Sequence, residues 1–187
     1  ISMLGIAGGI HEDVHVGDVV FADQVDGYHV AGKIGDTDGH YDIQFAGEVY
    51  RCPEDMVRDI DNIEFNAPEA YNQWGGKCAA DLERLLPRET IDELVQEGVL
   101  GETLDLQKAH LASGPFVVIS EHFKQALKTR DRSIKAVEME AFGIMKAVYQ
   151  QIRGARSIIL RGISDLGCGD KKKLDETGEG ALRKYAM

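Results

Sequence analysis

The stretch from Ser133 to Asp165, SIKAVEMEAFGIMKAVYQQIRGARSIILRGISD, carries the clearest structural pattern in the chain. Ser133 to Val137 is strand-like. Ala141, Ile144, Met145, Val148 and Ile152 then recur at helical spacing, and Gly154 stands where a helix C′ residue belongs. Ser157 to Ile163 is a second apolar strand. Strand, helix and strand at this spacing read as a βαβ unit with two parallel strands. Parallel strands end on the same edge of a sheet, and ligands of open α/β sheets bind at that edge. Glu138, Met139 and Glu140 end the first strand, and Ser164 and Asp165 end the second. Acidic groups some 25 residues apart are therefore expected in one crevice. Paired carboxylates there suit hydroxyl recognition and proton donation. The residues alone favour a plainer assignment: Glu138 exposed to solvent, Glu140 a first-turn residue favoured by the helix dipole, Asp165 a helix cap.

Working outward, Ile1 to Ile6 reads as a buried strand and Gly8-Gly9 as the turn that ends it. Gly17-Asp18 is a second turn, followed by the apolar run Val19 to Ala22. Tyr41, Ile43 and Phe45 alternate with polar residues, as in a half-exposed strand. Pro53 to Ile63 reads as a helix with Met56, Ile60 and Ile63 on one face. A second helix runs from Pro68 to Leu86 and carries Trp74, Cys78, Leu82 and Leu85, with Trp74 and the leucines expected in the core. A third spans about Glu89 to Gln96 and stops at Gly98. Phe116 to Ile119 reads as a short buried strand, and Ser120 as the N-cap of a helix carrying Phe123 and Leu127. No internal repeat, low-complexity tract or linker divides the 187 residues, which suit one domain over 1–187. A strand begins at residue 1 and the last segment, Gly180 to Met187, looks like a helix cut short. The chain therefore reads as part of a longer domain, truncated at both ends.

Composition excludes some function classes. The 32 carboxylates against 21 Lys and Arg give a net charge of −11. Such a field disfavours nucleic acid and anionic membranes as partners. No apolar run approaches the roughly 20 residues of a membrane-spanning helix. Cys52, Cys78 and Cys168 are far apart and odd in number, which fits a reducing, cytoplasmic compartment better than a disulfide framework.

Val137-Glu138-Met139-Glu140-Ala141 followed by Arg161-Gly162-Ile163-Ser164-Asp165 resembles the paired VEMEA and R-[GA]-I-S-D motifs of the nucleoside phosphorylase/nucleosidase superfamily. Gly5-Ile6-Ala7-Gly8-Gly9 with Gly17-Asp18-Val19-Val20 is similar to the same family's G-x-A-G-G and G-D-[VI]-V stretch. Ala112-Ser113-Gly114 is similar to its A-S-G element. The four motifs stand in the family's order over residues 5 to 165, and the segment from Gly27 to His110 shows little resemblance. The fold this implies is α/β, a three-layer α/β/α arrangement around a mixed, mostly parallel central sheet.

The resemblance also implies a chemistry and roles. Cleaving a purine N-glycosidic bond leaves the sugar cation-like and pushes electrons into the base, which needs a proton. The aspartate of the I-S-D motif supplies or organises that proton, here Asp165 beside Ser164. A carboxylic acid in this role has to hold its proton near neutral pH, which burial favours. The glutamate of the M-E pair accepts from the ribose hydroxyls, here Glu140. Met139 packs on the sugar with its soft thioether, next to Glu138. The backbone around Val117 and Val118 meets the base, and Ile6, Ala7 and Gly8 form the glycine turn. Phosphorylases of the family usually carry Arg two residues before the first glycine of this turn and Ser or Thr just after it, and both hold phosphate. Met3 and Ile6 stand at those places, so water is favoured over phosphate as nucleophile. The likeness is then nearest to 5′-methylthioadenosine/S-adenosylhomocysteine nucleosidases, in which a glutamate near the family's N-terminus activates the water. By the resemblance that segment would precede residue 1. The expected ligand is a purine nucleoside, with no cofactor and no metal, and the expected state is a homodimer or higher homo-oligomer. The alternatives are a phosphate-dependent phosphorylase and a nucleoside-binding signalling module.

Weaker signals have bland readings. His11 and His15 have helical metal-site spacing but fall in a loop without a third ligand, as surface histidines do. Gly169 to Lys173 suits a solvated charge run better than a lid. Cys168 has no adjacent base to make it a nucleophile. Tyr28-His29 suits an ordinary loop pair, with approach to a ligand as the alternative.

Overall fold

The computed structural model describes residues 1–37, 40–151, 154–167 and 180–187, and among them fall eight strands and seven helices. Strands β1 (Ser2–Gly9) and β2 (Val19–Asp26) lead into a small hairpin of β3 (Gly32–Thr37) and β4 (His40–Phe45), then β5 (Val49–Arg51). Helices α1 (Glu54–Asp61), α2 (Ile63–Asn66), α3 (Pro68–Leu85) and α4 (Arg88–Gln96) follow. The second half is β6 (Leu106–Ser113), α5 (Glu121–Arg130), β7 (Ile134–Glu138), α6 (Ala141–Gln151), β8 (Ile158–Asp165) and α7 (Ala181–Tyr185).

The central sheet is mixed and runs in the order β5-β2-β6-β7-β1-β8, with β2 also pairing to β8. That last contact closes β2, β6, β7, β1 and β8 into a ring and removes their free edges. The sheet is covered on both faces. Neighbouring residues of one strand point to opposite faces, yet Leu111 and Ala112 on β6 are both buried, as are Ala136 and Val137 on β7. Leu111 and Ala136 join the cluster of Val57 and Met145, and Ala112 and Val137 join that of Tyr28 and Leu127. Helix α6 buries Ala141, Phe142, Met145 and Val148, close to the apolar stripe expected from spacing, and packs on β2 and β5. Ile144 is only half-buried, and Ile152 lies outside the described residues.

One inference from spacing is overturned. β7 and β8 are neither neighbours nor parallel. β1, from the far end of the chain, lies between them, parallel to β8 and antiparallel to β7. Three contacts of the sheet are parallel (β1–β8, β2–β6, β6–β7) and three antiparallel (β1–β7, β2–β5, β2–β8), a more even mixture than expected. The carboxyl ends of β7 and β8 still meet, because the strands are staggered. β7 touches β1 only through Gly8↔Val137 and Gly9↔Ala136, whereas β8 follows β1 from Ser2↔Ile158 to Gly8↔Asp165. The two strands point at each other and overlap at their tips.

Other expectations shift as well. β1 runs through Gly8 and Gly9 rather than turning there, and its first half is open to solvent, with Leu4 73% exposed. Phe116 to Ile119 forms no strand. The strand is β6, which ends at Ser113, and after it only Val118 is buried among Phe116, Val117, Val118 and Ile119. A β-branched run beyond Gly114 and Pro115 has the composition of a strand but pairs with no strand among the described residues. Helix α3 has no fully buried residue, so Trp74 is half-buried against Tyr71 rather than in the core. The N-cap at Ser120 is present, its hydroxyl accepting from Phe123 N at 3.3 Å. His11 pairs with Asp13 and His15 faces Asp18. Cys168 and Gly169 to Lys173 lie outside the described residues. No described helix is long and apolar enough to cross a membrane.

Two buried aspartates tie the sheet to its loops. Asp18 accepts from His15 N at 2.8 Å and Asp105 N at 3.0 Å, fastening the turn before β2 to the approach to β6. Burial raises its carboxyl above the ordinary range, against the pull of those two amides. Asp26, 2% exposed at the end of β2, accepts from Arg130 Nε at 2.7 Å, and the same guanidinium donates to the carbonyls of Phe45 and Ala46. Removing Arg130 would leave a carboxylate buried without its cation. Arg130→Met is therefore expected to lower stability by about 3 kcal/mol in urea denaturation; a loss below about 1 kcal/mol would mean the pair behaves as a surface bridge.

Candidate active site

Ile6, Ala7, Gly8, Val117, Val118, Glu138, Met139, Glu140, Ser164 and Asp165, all singled out in the sequence, line one cavity of about 490 Å³. Gly5, Phe116, Val137 and Arg183 complete its wall. A larger cavity of about 680 Å³ lies by α1, around Cys52, Arg58 and His110, and holds none of the motifs.

One wall is the paired ends of β1 and β8. Their register runs Ala7↔Ile163 and then Gly8↔Asp165, so Ser164 is an extra residue on β8. Adjacent residues of a regular strand face opposite ways, and the bulge lets Ser164 and Asp165 both line the cavity. Asp165 is 4% exposed. Its Oδ1 accepts from Gly167 N at 3.0 Å, a local turn bond of the kind the plainer cap assignment anticipates. Ser164 Oγ lies 3.1 Å from Asp165 Oδ2 and 3.3 Å from the Ala7 carbonyl oxygen. A hydroxyl has one proton to give. When Asp165 is ionised that proton can go to Oδ2; when Asp165 is protonated it can go to Ala7. Gly8 faces this carboxylate, and a Cβ there would sit 3.1 Å from Oδ1.

The other wall is the end of β7. Glu138 is buried, and its carboxylate is committed to protein donors. Oε2 accepts from Arg161 Nη2 at 2.6 Å and Nε at 3.2 Å, and from Glu140 N at 3.1 Å; both oxygens accept from Ala141 N, at 2.9 and 3.0 Å. Glu138 therefore caps α6 and anchors the turn. It is neither solvent-exposed nor free to grip a ligand with its carboxylate. Glu140 is the opposite case. Its side chain is 62% exposed, with Oε2 3.6 Å from Arg161 Nη2. A carboxylate held open beside a cation is suited to accept from hydroxyls. Met139, 48% exposed, with Phe116 and Val117 at 54% and 61%, forms an open apolar rim.

Arg161 was quoted within a motif but given no task by the sequence; it is 1% exposed and supports both glutamates. The signal was available: an arginine in an apolar strand requires a carboxylate partner. Gly5 makes room for it, since a Cβ at Gly5 would lie 2.6 Å from Arg161 Nη1. Arg183 on α7 and Phe116 were also missed, as nothing in local spacing brings them here. Tyr28 does not line the cavity. It is fully buried against Phe45 and Phe123, its hydroxyl pushed up to about 12 by burial and then by the charge of Glu138. His29 is bonded to the Ser113 carbonyl oxygen at 3.2 Å. No cluster of metal-ligating side chains occurs among the described residues.

The family model described as the phosphorylase superfamily matches residues 1–186. No curated protein matches the sequence. Solved structures do match by fold. The 5′-methylthioadenosine/S-adenosylhomocysteine nucleosidase of S. pneumoniae, with a transition-state inhibitor, is 21% identical at a TM-score of 0.55, over 99% of this chain and 64% of its own. The corresponding nucleosidase of Colwellia psychrerythraea, in complex with adenine, is 17% identical at 0.58, over 99% and 62%. The futalosine hydrolase of Helicobacter pylori is 18% identical at 0.54, over 98% and 61%. The chain thus spans less than two thirds of the length of these proteins.

The contrast between the two glutamates is measurable. Glu138→Gln is expected to cost about 2–4 kcal/mol of stability, because it leaves Arg161 buried without its charge partner. Glu140→Gln should cost less than about 0.5 kcal/mol. Equal losses in chemical denaturation would contradict the separation of anchor from open carboxylate.

Proposed function

This chain belongs to the phosphorylase superfamily, and from that premise we propose that it cleaves the N-glycosidic bond of a purine nucleoside, with water as the nucleophile. One observation carries the reading. A buried carboxyl, Asp165, and an open carboxylate, Glu140, face a single cavity of nucleoside size, bounded by the glycine strand and an apolar rim.

The roles are those the resemblance implies, and the geometry is compatible with them. The apolar rim of Met139, Phe116 and Val117 takes the flat, weakly polar parts of the ligand, and Glu140 accepts from the ribose hydroxyls. As the C1′–N9 bond breaks, its electron pair passes to the base and Asp165 gives a proton to N7. The carboxylate left behind is held by the amide of Gly167, already aimed at it, and by the hydroxyl of Ser164, which turns its proton from Ala7 to Oδ2. Water adds its oxygen to C1′ and gives up a proton; in the resembling nucleosidases a glutamate of the N-terminal segment takes it. Met3 and Ile6, where phosphorylases hold phosphate, support water over phosphate. Arg183 is the observation favouring the other reading, since a cation on the cavity wall suits an anionic co-substrate.

Asp165→Asn is expected to lower turnover by a factor of roughly 10² or more, the ordinary worth of a general acid. Nucleoside affinity should stay within a few-fold, as the amide keeps the shape of the acid. Unchanged turnover would remove Asp165 from the reaction. Purine release should proceed at full rate in phosphate-free buffer, and dependence on added phosphate would replace hydrolysis by phosphorolysis.

A further inference from the structure

Lys124 is an unusual residue to find where it is. It lies on α5, 8% exposed, beside Leu127 on the face the helix turns inward. Lysine is rarely buried, and a leucine or methionine would fill that space without desolvating a charge. Among the described residues the ammonium has two partners. One is Glu121 one turn back, at 2.6 Å, itself 63% exposed. The other is the carbonyl oxygen of Leu166, at 3.0 Å.

Leu166 O belongs to the peptide unit whose N–H is that of Gly167, and this N–H donates to Asp165 Oδ1 at 3.0 Å. The described peptide bonds are all trans. In a trans unit the C=O and N–H bonds point in opposite directions in one plane. A cation holding the oxygen therefore aims the hydrogen away from itself, here at the carboxylate. It also polarises the amide, drawing electrons toward oxygen and making the N–H a stronger donor.

We propose that Lys124 is a positioning residue for Asp165, acting through the single peptide unit between Leu166 and Gly167. The inference rests on Asp165 being the proton donor. As Asp165 loses its proton to the base, negative charge grows on its oxygens. The oriented amide meets that charge with no rearrangement, so the contact strengthens in the transition state more than in the ground state. Lys124 does not line the cavity, so its loss falls on turnover and not on binding. Glu121 serves only to accompany the lysine.

The test is Lys124→Met in the intact protein, with Lys124→Arg and Glu121→Gln alongside. Lys124→Met is expected to lower kcat for purine release roughly tenfold, short of the hundredfold or more that follows loss of a direct donor. KM should be unchanged. Lys124→Arg, which can still donate to Leu166 O, should recover most of the rate, and Glu121→Gln should match the parent. The second readout needs no activity. The Gly167 amide proton should move upfield in the ¹H–¹⁵N spectrum of Lys124→Met, toward its position in Asp165→Asn, and stay in place in Glu121→Gln. Wild-type kcat in Lys124→Met, a rise in KM instead of a fall in kcat, or an unmoved Gly167 amide would each overturn the proposal. If Lys124→Met does not fold, Lys124→Gln, whose shorter side chain removes the cation but keeps some polarity, is expected to lower kcat with KM unchanged and to move the Gly167 amide upfield, and wild-type values of both would overturn the proposal. A parent that releases no purine defeats the functional reading, and the Gly167 amide then decides alone whether Lys124 orients the peptide.

Discussion

A guanidinium buried on β8 and a carboxylate buried at the end of β7 have to meet, and the strand between them has to let them. Arg161 and Glu138 are each about 1% exposed at the side chain. Either one alone in that setting would cost several kcal/mol, so the interior tolerates them only as a pair. β1 lies between their strands, with Gly5 opposite Arg161 in register. Glycine there leaves the space the guanidinium occupies. Three strands are thereby fixed relative to one another by one charge pair and one missing side chain.

The same pair builds the open wall of the cavity. Glu138 uses its remaining acceptor capacity on the amides of Glu140 and Ala141, which ends β7 and starts α6 at a set angle. The turn between strand and helix carries Glu140 outward while Glu138 stays in. Two identical side chains two positions apart thus take opposite tasks, one sealed and structural, one exposed and available. Arg161 reaches both, so the open carboxylate keeps a cation beside it without being neutralised by direct contact.

On the facing wall the device is different. The bulge at Ser164 lets two consecutive residues of β8 face one cavity, and a hydroxyl and an amide converge on the buried carboxyl from separate sides. The ring closure through β2 and β8 holds the base of this arrangement, with Asp18 fastening the turn that enters β2. The motif Gly17-Asp18 therefore belongs to the frame, whereas Ser164-Asp165 belongs to the cavity, although both are short acidic turn sequences by composition.

Much of this was legible one segment at a time. The amphipathic stripe of α6, the N-cap at Ser120 and the termini of α3 and α4 depend on contacts within a turn or two of helix, and spacing carries that information, whereas α1 ends at Asp61 and Ile63 begins a separate helix. Most of the residues that face the cavity were also legible, through motifs that keep Glu138 to Glu140 and Ser164-Asp165 as units, whereas Phe116 and Arg183 were not. What the sequence could not state was direction and partnership. Side chains alternate with period two in parallel and antiparallel strands alike, so the stretch from Ser133 to Asp165 reads the same whether β7 and β8 lie side by side or meet tip to tip. Tertiary structure decided that β1, some 150 residues from β8 in the chain, enters between them. It also separated the anchoring glutamate from the open one, and brought Lys124 to the carbonyl of Leu166. The physical reason is common to all three: a charge is placed by whatever pays its desolvation, and that partner is chosen in space, not in sequence.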